Sequence, residues 1–96
     1  MAIRIKPYFA FRRIMGNQRF IEIDSDSETL EDLLENLFAR YGPELRAMVL
    51  DAETGGLSPN IQILVNGRSY RTLPDQLKTL LKSGDEVSLF PPMAGG

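Results

Sequence analysis

The chain has 96 residues, of which 43% are hydrophobic and 25% charged, with a net charge of −2 and a pI near 5.0. This length and composition predict one folded domain with its own hydrophobic core. The acidic balance argues against nucleic acid as a partner, and no apolar run approaches the roughly 20 residues of a membrane span. With no signal-peptide pattern at the start, we expect a cytoplasmic protein without a membrane partner.

Histidine and cysteine are both missing from the sequence. Without cysteine there is no disulfide, no thiolate nucleophile and no cysteine metal site. Without histidine, the commonest general base and the commonest zinc ligand are missing as well. No serine has the SxxK spacing of a serine–lysine pair, and carboxylate pairs such as Glu31 and Asp32 lie in helical sequence. We therefore expect no metal site, no permanently bound cofactor and no catalysis by the isolated chain.

The first elements resemble two paired strands. Residues 2–9, AIRIKPYF, alternate apolar and basic side chains, as in a half-buried strand. Pro7 predicts an irregularity or a sheet edge, because proline cannot donate to a ladder. Gly16-Asn17 predicts a turn, and the segment RFIEI at 19–23 predicts a second strand. Together these segments favour a hairpin.

The clearest element is a helix over residues 29–41. It has one apolar stripe at helical spacing, formed by Leu30, Leu33, Leu34, Leu37 and Phe38. Thr29 is a candidate N-cap, with Asp32 three residues on, as in a capping box. Gly42 suits the left-handed position after the last turn, and Pro43 prevents the helix from continuing.

A short second helix over 43–50 and a loop over 51–60 follow by composition. The segment IQILVNGRSY, residues 61–70, predicts a strand that enters an Asn66-Gly67 hairpin turn. Three leucines, Leu77, Leu80 and Leu81, predict a short helical turn that ends before Gly84-Asp85.

A last strand is predicted over residues 86–90, EVSLF. Alternation puts Val87 and Leu89 on one face, and Ser88 and Phe90 on the other. If Val87 and Leu89 face the helix, Phe90 faces the open side. The whole order, a strand pair, a long helix and further strands, predicts an α+β fold in which a sheet packs on one main helix.

The C-terminal segment LKSGDEVSLFPPMAGG resembles that of the MoaD family, the small sulfur-carrying subunit of molybdopterin synthase. The order and spacing of GDEV, FPP and the final GG carry the resemblance. The segments YFAFRRIMG, RYGPEL and ILVNGR are similar to other parts of that family, especially to its longer, archaeal-type members. The resemblance covers nearly the whole chain.

This resemblance implies a β-grasp, ubiquitin-like fold of four to five strands in a mixed sheet. It implies a domain over 1–90 and a flexible, extended tail over 91–96. It also implies a sulfur carrier for molybdenum or tungsten cofactor synthesis that is not itself an enzyme. A ubiquitin-activating-like adenylyltransferase (MoeB-like) would use ATP to adenylate the Gly96 carboxylate, which then becomes a thiocarboxylate. The large synthase subunit (MoaE-like) would receive the sulfur, so a hetero-oligomer is expected.

The residues of the tail fit that chemistry physically. The tail comprises Pro91, Pro92, Met93, Ala94, Gly95 and Gly96. The two prolines end the ladder and favour an extended exit, and the two glycines can thread a narrow channel. Extended, these residues span about 20 Å, long enough to enter another protein's active site. A chain without cysteine can hold sulfur on its terminal carboxylate but not as a persulfide.

Phe90 and the tail are expected to form a docking face for these partners. Phe9, Phe11 and Tyr70 are candidate neighbours of Phe90, and we expect Phe9 and Tyr70 to bind the partner. An open sheet face with aromatic side chains is typical of an interaction surface. The alternative is that Phe9 and Tyr70 complete the core, and the sequence leaves both roles open.

Three other functions stay open. A ubiquitin-like modifier joined through Gly96 to target lysines would use the same activation chemistry, and some archaeal-type relatives are associated with it. A sulfur carrier for thiamine synthesis, similar to ThiS, would usually be shorter and lack Phe-Pro-Pro. A plain binding module is the third alternative.

Overall fold

The computed structural model describes residues 2–24 and 29–92, in which five strands form one sheet accompanied by three helices. The strands are β1 (Ala2–Pro7), β2 (Ile21–Asp24), β3 (Gln62–Val65), β4 (Arg68–Ser69) and β5 (Glu86–Phe90). The helices are α1 (Ala10–Ile14), α2 (Leu30–Tyr41) and α3 (Pro43–Val49), and short 3-10 turns lie at Tyr70–Thr72 and Gln76–Lys78.

The sheet is mixed, with the strand order β2-β1-β5-β3-β4. The two central strands, β1 and β5, run parallel, while the other pairs are antiparallel. In the central pair, Ile5 lies opposite Val87 and Pro7 opposite Leu89. Strands β1 and β5 therefore lie side by side, and their carboxyl ends lie at the same end of the sheet.

Helix α2 supplies much of the core, as its apolar stripe predicts. Its five stripe residues, Leu30, Leu33, Leu34, Leu37 and Phe38, are 0–6% exposed. They belong to one cluster with the inward side chains of the strands, among them Ile5, Val87 and Leu89. Burying a side chain of this size contributes about 1.5–3 kcal/mol, so this stripe holds the helix on the sheet.

The ends of α2 are set by local sequence, and both predictions are confirmed. The Asp32 amide donates to Thr29 Oγ1 at 3.1 Å, and the Thr29 amide donates to Asp32 Oδ2 at 3.3 Å, which completes a capping box. Gly42 ends the helix at φ 92°, a conformation that strongly favours glycine. Pro43 then begins α3, which ends at Val49 within the predicted segment.

The connection between β1 and β2 differs from the predicted hairpin. The two strands are antiparallel, with Ile5 opposite Ile21, but α1 lies between them. Two residues four apart in sequence, Phe11 and Met15, are each 1% exposed and fix this short helix on the core. Because one helical turn is too short to show a periodic pattern, the sequence did not reveal α1.

Pro7 ends a central strand at a point where only one neighbouring strand pairs with it, so it lies locally at an edge of the ladder. Pairing with β2 stops at Ile5 opposite Ile21, so Pro7 has no strand on that side to which it would donate. On its other side it lies opposite Leu89 of the parallel strand. The missing amide hydrogen therefore leaves no donor unsatisfied in the ladder.

The second half of the chain follows the predicted order. Asn66 and Gly67, at φ 51° and 85°, form the tight turn between β3 and β4. The Asn66 side chain donates to Asp85 Oδ1 at 3.0 Å and accepts from the Glu86 amide at 2.9 Å. Asp85, part of the GDEV motif, thus joins the hairpin turn to the start of β5.

The helical turn predicted from Leu77, Leu80 and Leu81 is a 3-10 turn over Gln76–Lys78. After this turn, Leu80 is 66% exposed and Leu81 is buried.

Candidate functional site: the root of the C-terminal tail

Strand β5 ends at the same end of the sheet as β1, because the two strands are parallel. Along β5, Val87 and Leu89 are 0% and 1% exposed on the core side, so strand alternation places Phe90 on the open face. Pro91 is buried and Pro92 is exposed. The predicted tail residues Met93, Ala94, Gly95 and Gly96 lie outside the described residues.

Phe90 is covered by a side chain that the sequence did not single out, Tyr8. The Tyr8 and Phe90 rings stack with centroids 4.3 Å apart and planes 8° from parallel. The Tyr8 amide donates to the Leu89 carbonyl at 3.0 Å, which continues the β1–β5 ladder past Pro7. A parallel register therefore puts the two rings at neighbouring positions. No local pattern could have indicated this, because the two residues are far apart in sequence.

Arg12 completes the stack. Its guanidinium carbon lies 5.7 Å from the centroid of the Tyr8 ring, a cation–π distance. Its Nε donates to the Pro7 carbonyl at 3.3 Å. Arg12 is in α1, so this helix brings a positive charge to the aromatic surface where the tail begins.

Phe9 lies beside this stack and is directed into solvent. Its ring is tilted 46° to that of Tyr8 at a centroid distance of 6.5 Å, and the residue is 62% exposed. Its backbone has φ 54° and ψ −122°, a combination that glycine adopts far more readily. Strain of this kind costs about 1–3 kcal/mol and is often found at functional sites. We name Tyr8, Phe9, Phe90, Pro91 and Pro92 the tail root.

The strain at Phe9 gives a testable expectation. Replacing Phe9 with glycine is expected to give a protein about 1 kcal/mol more stable than replacing it with alanine, because alanine keeps the Cβ atom that the left-handed backbone disfavours. Chemical unfolding of both variants measures the difference. Both lack the ring, so a partner that uses Phe9 should bind both weakly. An alanine variant as stable as the glycine variant would contradict the strained backbone.

Two other aromatic residues do not join the tail root. Tyr70 is 8% exposed and Phe11 is 1% exposed, and both pack in the core cluster. Tyr70 begins the 3-10 turn that follows the two-residue strand β4, where the strand alternation has already ended. The expectation that these two residues lie beside Phe90 on the open face is therefore wrong, whereas Phe9 does lie on the exposed surface.

The open face of the sheet also carries ion pairs between neighbouring strands. Arg4 lies 3.5 Å from Glu22, and Lys6 lies 3.7 Å from Glu86. Ion pairs this exposed contribute about 0–1 kcal/mol each to the free energy of folding. They therefore favour the observed pairing of the strands but add little to the stability of the sheet. Away from this face, Lys78 donates to Glu31 Oε1 at 2.6 Å, and this hydrogen bond and the carboxylate charge raise the pKa of Lys78.

Residues 2–24 and 29–92 contain no group of three or more acidic, histidine or cysteine side chains that could hold a metal. Within the same ranges, no helix has the length and apolar character needed to cross a membrane. The tail root is an aromatic surface at the point where β5 ends and the tail begins.

A mixed five-stranded sheet on one main helix, with β1 and β5 parallel at its centre, is the β-grasp fold of ubiquitin-like proteins. The chain belongs to the ThiS family, whose model matches residues 8–96 and thus includes the final Gly-Gly.

Relatives with known names place the chain among small sulfur carriers and archaeal modifiers. It is 33% identical to small archaeal modifier protein 3 of Haloferax volcanii, over all of both chains. It is 41% identical over 80 residues to a candidate sulfur carrier protein of Archaeoglobus fulgidus, covering 83% of this chain and 88% of the relative.

Two solved structures agree with that placement. The solution structure of small archaeal modifier protein 1 from Methanosarcina acetivorans is 29% identical, with a TM-score of 0.83 over 99% of this chain and 96% of that one. The structure of a candidate subunit 1 of molybdopterin converting factor from Pyrococcus furiosus is 26% identical, with a TM-score of 0.72 over 97% and 99% of the two chains.

Proposed function

We propose that this protein is a sulfur carrier for molybdopterin synthesis and holds sulfur as a thiocarboxylate on Gly96. The observation that carries the proposal is the tail root, where β5 ends at Phe90, Pro91 and Pro92 follow, and the exposed ring of Phe9 lies beside the Tyr8–Phe90 stack. The family match through residue 96 supports it, as does the likeness to a candidate molybdopterin converting factor subunit.

The proposed chemistry has two steps at the Gly96 carboxylate. A carboxylate oxygen attacks the α-phosphate of ATP, and pyrophosphate leaves, so that the acyl carbon becomes electrophilic. A sulfide-level donor then attacks that carbon and displaces AMP, which leaves the sulfur on the acyl group. Because a carboxylate at neutral pH is a poor electrophile and the chain has neither histidine nor cysteine, the adenylating partner supplies the catalysis.

In this proposal the chain itself brings the Gly96 carboxylate into the active site of the partner. The domain over 1–90 presents Tyr8, Phe9 and Phe90 of the tail root to the partner, and the tail over 91–96 reaches into the partner's active site. Gly95 and Gly96 carry no side chains, so they pass where other residues would clash. Pro91 and Pro92 restrict the backbone of the tail, which lowers the conformational entropy lost on insertion. The adenylyltransferase and the large synthase subunit would both use this surface, one after the other.

The experiment is intact-mass spectrometry of the protein incubated with its adenylating partner, ATP and sulfide. We expect a gain equal to the mass difference between one sulfur and one oxygen atom, located on the peptide that contains Gly96. ATP and the partner should both be required. A gain that persists without ATP, or one that lies on an internal peptide, would contradict the proposal.

A second candidate function is conjugation to proteins, which the names of two relatives favour. In that reaction a lysine amine of a target attacks the same acyl-adenylate and displaces AMP, or attacks a thioester made from it and displaces the thiol, which gives an isopeptide bond with Gly96. The two functions share the activation step and differ in the acceptor. Mass spectrometry of tryptic peptides from cells can detect a lysine that carries the C-terminal remnant of this chain, which a pure sulfur carrier would not leave.

A further inference from the structure

The register of the two central strands places Tyr8 and Phe90 side by side. Pro7 lies opposite Leu89 in the parallel ladder, and the Tyr8 amide continues it by donating to the Leu89 carbonyl at 3.0 Å. At the next position the two rings meet in a nearly parallel stack, with centroids 4.3 Å apart. Phe90 is half-buried, and the stack with Tyr8 covers one face of its ring.

The Tyr8 ring is itself restrained by α1. The Arg12 guanidinium lies over the ring at 5.7 Å, and Arg12 Nε is bound to the Pro7 carbonyl at 3.3 Å. The backbone next to Tyr8 is fixed by the ladder hydrogen bond. Tyr8 therefore has little freedom, and it can restrict the residue that stacks on it.

Phe90 is the last residue before the tail, and Pro91 follows with a fixed φ and a buried side chain. On its other side Phe90 pairs with Gln62 of β3, so Phe90 is held from both neighbouring strands where the chain leaves the sheet. A shift of Phe90 would therefore change the direction in which Pro91 and Pro92 leave the domain. We infer that Tyr8 is a positioning residue, whose stack on Phe90 sets the direction in which Pro91 and Pro92 leave the sheet and thereby assists the reaction of the Gly96 carboxylate in the partner. This inference rests on the proposed activation of Gly96.

Two other roles for Tyr8 make different predictions. A ring that only touches the partner would affect binding, so its loss would raise KM and leave kcat unchanged. A ring that only supports the fold would affect the free energy of unfolding and neither kinetic constant. A positioning ring affects kcat, because a displacement of about 1 Å at the reacting group can cost on the order of a hundredfold in rate.

The first measurement uses the protein alone. Carbon-13 relaxation of the Phe90 ring is compared in the wild type, Tyr8→Leu and Tyr8→Phe. We expect greater ring motion in Tyr8→Leu, and motion like that of the wild type in Tyr8→Phe, because phenylalanine keeps the stack. Equal Phe90 order in all three proteins would overturn the inference, whatever the function of the chain.

The second measurement is the rate of adenylation, with each protein as the substrate of the adenylating partner in the presence of ATP. We expect kcat to fall at least tenfold in Tyr8→Leu, beyond any rise in KM from the lost contact with the partner, and to recover in Tyr8→Phe. A raised KM with unchanged kcat, or no kinetic change, would overturn the inference.

The two hypotheses fail in different ways. A wild-type protein that is not adenylated contradicts the proposed function, and the inference about the direction of the tail then fails with it, even if the Phe90 ring is ordered as expected. A wild-type protein that is adenylated, together with a fully active Tyr8→Leu variant, contradicts the role of Tyr8 alone.

Discussion

Adding one residue after Gly96 is expected to abolish sulfur loading. The proposed reaction occurs at the terminal carboxylate, and an added residue would convert the Gly96 carbonyl into an amide and move the free carboxylate onward by about 3.5 Å. An active site shaped for two residues without side chains would then hold an unreactive amide at its catalytic position. Intact-mass spectrometry after incubation with the partner, ATP and sulfide measures the loss.

Deletion of Gly96 should have the same effect, because the carboxylate then stops short of the reactive position. Both variants should unfold at the same temperature as the wild type, since the described core ends before these residues. Thermal unfolding is the control for folding. Normal sulfur loading of either variant would contradict the assignment of Gly96.

Replacing Phe90 with alanine is expected to weaken binding to the large synthase subunit by about 2 kcal/mol, roughly thirtyfold in Kd. The ring is half-buried at the point where the tail leaves the sheet, and it borders the exposed ring of Phe9 through Tyr8. An aromatic side chain in such a position can act as an anchor in an interface. Isothermal titration calorimetry gives Kd, and chemical unfolding gives the change in stability.

Leu80→Ala is the matched control for Phe90→Ala. Leu80 is an apolar residue with 66% exposure, and it pairs with Thr29 at the start of α2, away from the tail root. Its replacement should leave partner binding unchanged. If Phe90→Ala lowers stability strongly but leaves Kd as in the wild type, Phe90 is a core residue and the docking role is wrong.

The structure also separates two kinds of motif residue near the C-terminus. Asp85 of the GDEV motif is engaged by the Asn66 side chain and by the Lys82 amide, at 3.0 and 2.7 Å. These contacts are within the fold and fix the start of β5. The Phe-Pro-Pro segment, by contrast, leads out of the sheet, so the motif combines a half that stabilises the fold with a half that we propose contacts the partner.

The sequence by itself determined the elements whose signals are local. The capping box of Thr29 and Asp32 and the Asn66-Gly67 turn each depend on residues a few positions apart, and the sequence predicts both correctly. The apolar stripe of α2 and the alternation in β5 are also short-range patterns, which identified the buried face of each element. The composition of the tail, read together with the family resemblance, predicted the candidate reactive end.

Only the tertiary structure decided how distant segments meet. The parallel register of β1 and β5 brings Tyr8 onto Phe90, although about 80 residues separate them. Helix α1 is too short to form without the core, so its existence depends on the burial of Phe11 and Met15. The burial of Tyr70 follows from the place where β4 ends. Such contacts are set by the packing of the whole sheet and helix, which no short stretch of sequence encodes.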